Sequence, residues 1–153
     1  MDEDLESRLS KVAKRRGGHF HVRPSESPKD PRAAADDIAR SLRFRAIGEA
    51  WDLVSPTLAA RTLAYLLHQW LAYPREFMPP AEAQALADRF VASFGPDPIC
   101  LTNAEWFGGE PGPLPDPRGP SLSWMPITES TFDAGVVCFG NGQAGMLWFE
   151  EGD

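Results

Sequence analysis

Gly135-Val136-Val137-Cys138-Phe139, then Gly140-Asn141-Gly142, then Ala144-Gly145-Met146-Leu147-Trp148-Phe149: two apolar runs joined by a short glycine and asparagine link decide the fold of this chain. Asparagine and glycine accept the positive φ angles of tight turns, so the pattern predicts an antiparallel hairpin over 135–149. Two strands alone are marginal in water, and this pair must therefore lie on helices or recruit another strand.

Immediately upstream, Thr128-Glu129-Ser130-Thr131-Phe132-Asp133 is dense in hydroxyls and carboxylates. Short polar side chains of this kind bond nearby backbone groups and shape the entry to a strand. The same residues would serve as general acid and base if His68 or Glu105 folded against them. Before them, residues 95–126 contain eight prolines and the run Gly108-Gly109-Glu110-Pro111-Gly112-Pro113. No regular element tolerates that density, so a long loop is expected at about 95–126. The aromatic pairs Trp106-Phe107 and Trp124-Met125 should anchor its ends, and Ile99–Leu101 offers a short strand beside it.

Helices account for the middle of the chain. Asp30-Pro31 is an N-cap followed by a first-turn proline, and Ala35, Ile38, Ala39 and Leu42 then keep helical phase. The stripe shifts to Phe44, Ile47, Trp51 and Val54, again at helical spacing but on another face, which predicts a bend or a break near Arg43. Ser55-Pro56 starts a second helix, with Leu63, Leu66, Leu67, Trp70 and Leu71 as its core face and Tyr73-Pro74 as its stop. A third begins at Pro80 and ends at Gly95-Pro96. The fold class is therefore α+β, about three N-terminal and central helices packed on a small C-terminal antiparallel sheet containing the 135–149 hairpin.

Residues 1–32 read as a flexible charged arm before a single domain over 33–153. Leu5, Leu9 and Val12 make one short stripe, Gly17-Gly18 ends it, and a polar run punctuated by Pro24, Pro28 and Pro31 follows. Its Lys11, Lys14, Arg15, Arg16 and Arg23, with Phe20, could meet nucleic acid. The acidic body disfavours that.

The 153 residues carry a net charge of −7, unevenly placed. Residues 1–50 hold 11 Lys/Arg against 9 Asp/Glu, whereas residues 51–153 hold 4 against 13. An acidic body of this kind repels anionic membrane and steers towards a basic partner. Cys100 and Cys138 sit between apolar neighbours and read as buried reduced thiols. Met1 is followed by Asp2, Glu3 and Asp4, unlike a secretory signal, and no apolar stretch approaches a membrane span, so the expected location is cytoplasmic.

There is no phosphate-loop glycine motif, no nucleophile elbow and no zinc-binding histidine helix in the sequence. No cofactor or metal is implied. What remains is the profile of a protein-binding protein, most concretely an immunity- or inhibitor-type protein that occludes a basic partner such as a bacterial toxin or nuclease. Its expected contact residues are Glu105, Trp106, Glu110, Asp116, Glu129 and Asp133. The alternatives are a hydrolase-like or transferase-like enzyme using Glu129 and Asp133 with His68, and an adaptor or structural subunit of a larger assembly.

Overall fold

A computed structural model describes residues 1–70, 75–103 and 125–152. In chain order the elements are helix α1 (Glu3–Arg16), strand β1 (Gly18–Pro24), helix α2 (Pro31–Ser41), a 3-10 turn (Gly48–Ala50), strand β2 (Asp52–Val54), helix α3 (Pro56–His68), helix α4 (Pro80–Ala92), strand β3 (Ile99–Thr102), strand β4 (Phe132–Gly140) and strand β5 (Gln143–Glu151). The strands form one antiparallel sheet in the order β1-β5-β4-β3-β2. The α+β class and the hairpin are as the sequence predicts. Asn141 and Gly142 both take positive φ, 53° and 74°, as a two-residue turn matched to strand twist requires.

The hairpin is apolar on both faces because both are covered. Ala134, Val136, Cys138, Leu147 and Phe149 join the core formed with α1, α3 and α4. Val137, Phe139, Met146 and Trp148 meet Ala35 and Ile38 of α2, with Trp51, Leu101 and Ile127. Strands buried on two sides lose the polar alternation of a half-exposed sheet. Gly135 stands opposite Trp148, and a Cβ there would run into the Leu147 carbonyl and the Trp148 backbone and ring. Its absence lets β5 lie close across β4.

The first 24 residues are not an arm. α1 is capped by Asp2, whose carboxylate accepts from the Leu5 amide at 2.8 Å, and it buries Leu5, Leu9 and Ala13. Burying a leucine gains about 1.5–3 kcal/mol, enough to offset much of the ordering of one turn. β1 pairs with β5 from Gly18↔Phe149 to Pro24↔Gln143. The alternation His19-Phe20-His21-Val22 is a strand pattern, outweighed in the sequence by the flanking charge. Ser25 N donates to Gly142 O and Glu150 N to Gly17 O, so the odd residues of β1 bond β5 and the even ones face the edge. Pro24 thus falls where no amide is needed.

α2 stops at Ser41 and does not resume. Arg43 takes a φ of 63°, Trp51 caps the 3-10 turn, and Val54 lies in β2. The apparent helical spacing from Phe44 to Val54 is a loop and strand filling one side of the core. α3 ends at His68, leaving Trp70 beyond it and only partly buried, with its ring edge-on to Phe77; Leu71, Tyr73 and Pro74 lie outside the described residues. So does most of the predicted 95–126 loop, including Trp106, Phe107 and Trp124. Met125, expected as a buried anchor, is 46% exposed.

Candidate functional site

The acid-rich entry to the hairpin is where both catalytic and contact roles were expected, and its geometry separates Asp133 from Glu129. Asp133 is 0% exposed. Its Oδ1 accepts from the Ile127 amide at 3.1 Å, the Trp148 indole Nε1 at 3.1 Å and Asn103 Nδ2 at 3.3 Å. Its Oδ2 accepts from the Thr128 amide at 2.9 Å and the Thr128 hydroxyl at 2.7 Å. Both oxygens of the carboxylate thus find their hydrogen-bond partners among neutral donors. It bolts the 127–128 turn to the sheet and is sealed from any substrate or partner. Asp133 is therefore neither a catalytic base nor a contact residue, and the enzyme reading built on it falls. Glu129 is the reverse case: its side chain is 99% exposed, 3.8 Å from Arg45.

His68, the third residue of that enzyme reading, is also engaged within the fold. His68 Nδ1 lies 2.8 Å from the Met78 carbonyl and helps fasten the chain between α3 and α4. Among the described residues no group of three or more His, Cys, Asp or Glu is placed to hold a metal ion. Cys100 and Cys138 are buried free thiols paired across β3 and β4, their sulfurs 3.4 Å apart. Burial, with the adjacent Cys100, pushes the Cys138 thiol well above its ordinary pKa, which suppresses thiolate reactivity.

Glu105, Trp106, Glu110 and Asp116 lie outside the described residues, but the points where their segment leaves and rejoins the fold are defined. Met125 N donates to Asn103 O at 3.0 Å, and Asn103 Nδ2 donates to the Met125 carbonyl at 3.0 Å and the Asp133 carbonyl at 2.9 Å. Residues 104–124 therefore start and finish at one clasp, itself tied to Asp133. No family model, curated protein or solved structure matches this chain. The site rests on its own geometry.

Sequence reasoning missed three polar residues that organise this end of the molecule. Asn103 is one. Asp36 is another: it accepts from the amides of Ile47 and Gly48 at 2.9 and 3.1 Å and from Trp51 Nε1 at 2.7 Å, repeating on α2 what Asp133 does on β4. The two indoles so held, Trp51 and Trp148, meet edge to face at 5.7 Å. The third is Arg16, weighed above for nucleic-acid contact and disfavoured there. It is fully buried, pairs with Glu151 at 2.8 Å, donates to the Leu66 carbonyl at 3.0 Å and stacks 4.3 Å from the Trp70 ring centre. Burial pushes its guanidinium pKa down and Glu151 opposes the shift. Phe20, the proposed stacking ring, packs against Phe90 instead.

Ion pairs also revise the charge asymmetry. Arg8, Arg16 and Arg45 from the first 50 residues meet Glu82, Glu151 and Glu129 from the remainder. Part of the contrast between front and body is thus complementarity within one fold. Among the described residues no helix is long and apolar enough to cross a membrane.

Proposed function

We propose that this chain is a stoichiometric protein-binding protein of immunity or inhibitor type, engaging a basic partner through residues 104–124 and the adjoining Glu129. The observation that carries the reading is the Asn103–Met125 clasp, which gives a 21-residue insertion one fixed root on a closed scaffold. Binding residues are commonly carried on loops that a rigid scaffold positions. The insertion contains Glu105, Glu110 and Asp116 against Arg118 alone, with Trp106 as an aromatic anchor. Because Glu82, Asp133 and Glu151 are engaged within the fold, the reading narrows from an acidic face to this insertion. A cytoplasmic setting and a toxin or nuclease as partner belong to the same proposal.

The test replaces residues 105–123 with a short Gly/Ser linker and, separately, reverses Glu105 and Asp116 to lysine. With the clasp intact both variants should melt like the parent. The parent should capture a basic protein from its native host at low salt and release it as salt rises. Both variants should fail to capture it. Capture that survives both changes defeats the proposal.

A further inference from the structure

At the end of the sheet where β5 finishes, an open cleft of about 510 Å³ lies between the C-terminus of α1, the residues after α3 and the last residues of β5. Lys14, Arg15, Arg16 and Arg75 line it against Glu150 and Glu151, with Trp70 beside them. Both acids are already engaged. Glu151 holds Arg16, while Glu150 accepts from the Ser130 hydroxyl at 2.8 Å and contacts His19 Nε2 at 2.5 Å. Arg15 lies over the Phe77 ring at 5.6 Å, a contact that leaves its charge uncompensated. Lys14 and Arg75 are exposed, and among the described residues neither forms an ion pair. A chain of net charge −7 thus gathers four cations against two carboxylates around one concavity.

Basic residues in the last turn of a helix offset its macrodipole, which accounts for Lys14 and Arg15. It does not account for Arg75, which belongs to another segment and is held there by the bond that Trp70 N donates to Arg75 O at 3.0 Å. Nor does it account for Arg16 Nη1, a buried donor on a residue of the cleft that has no acceptor among the described residues. Unmatched buried donors are uncommon in native folds.

We propose that this cleft binds a small phosphate-bearing anion, its charge met by Lys14, Arg15 and Arg75 and its organic part set against Trp70. Three cations lining one cleft favour a polyvalent anion, since a monocarboxylate would neutralise only one of them. The net negative charge of the whole chain favours a small anion over a nucleic-acid polymer, which would be repelled along its length. A ligand of this class fits the cleft's volume.

The proposal is tested on the full chain by calorimetry and tryptophan fluorescence at fixed ionic strength, using inorganic pyrophosphate, a nucleoside monophosphate, a short single-stranded oligonucleotide and acetate. Either small phosphate compound should bind saturably, and acetate should not. Lys14→Glu and Arg75→Glu should each weaken binding about tenfold, as expected for loss of one charge-assisted contact. Lys11→Glu, on the same helix but outside the cleft, should leave it unchanged. The proposal is overturned if neither phosphate compound saturates, if acetate behaves alike, if Lys11→Glu weakens binding as much as Arg75→Glu, or if the oligonucleotide binds more tightly than the nucleotide.

Discussion

On one face of the open end of the hairpin, Asp133 is buried among five donors from backbone amides, a hydroxyl, an indole and an amide side chain, and it forms no ion pair among the described residues. On the other face, Arg16 is buried against Glu151 and the rings of Trp70 and Phe149, with one nitrogen unmatched among the described residues. A carboxylate has two acceptor atoms that a tight turn can saturate. A guanidinium spreads five donors in a plane, which carbonyls from one side cannot all meet. The first charge closes its part of the core, whereas the second borders an open cleft.

The comparison can be broken by mutation. Asp133→Ala should have the largest effect, about 4 kcal/mol in chemical denaturation, because several buried donors lose their acceptor together. A change below about 1 kcal/mol would mean that the carboxylate does not hold the turn. Arg16→Met should cost about 3 kcal/mol by leaving Glu151 buried without its cation. Combining it with Glu151→Leu should recover much of that loss, and a double variant no better than the single would refute the pairing argument. Trp148→Phe should cost about 2 kcal/mol, removing one of Asp133's donors and some ring volume while the remaining donors persist. Glu129→Lys, beside the same turn but exposed, should change stability by less than about 0.5 kcal/mol.

A pH measurement sharpens the same contrast, because Asp133's face also carries His21. Burial, followed by the nearby Arg23 charge, holds the His21 pKa below its ordinary value. The unfolded chain then takes up the proton first on acidification, so this contribution is present above about pH 6.5 and is lost as pH falls through the folded pKa. Thermal melting across that range should show a decline that is smaller in His21→Gln. An identical decline in the variant would assign the effect to other groups.

What could be read from the sequence follows the range of the interactions. The hairpin, the starts of α2, α3 and α4, and the α+β class were legible because Gly140-Asn141-Gly142, Asp30-Pro31, Ser55-Pro56 and the apolar stripes act within a few residues. β1 was not. His19, Phe20, His21 and Val22 are ordered by backbone bonds to residues 144–149, a partner more than 120 positions away. Phe44 to Val54 misled because three- and four-residue spacings also arise when a loop and a strand line one side of a core. At the candidate site, the density of 128–133 marked the place but left two opposite roles open, and only burial separated Asp133 from Glu129. Glu105, Trp106, Glu110 and Asp116 remain sequence expectations.

By itself, then, the sequence determined which segments turn, cap and bury an apolar face, since those choices depend on neighbours along the chain. The tertiary structure alone decided that the charged N-terminal segment completes the sheet, that Arg16 and Asp133 are interior, and that Asn103 clasps both ends of the insertion. Each of those outcomes depends on donors, acceptors and rings contributed from distant positions. Burial turns a solvated charge into a structural bond only where such partners converge.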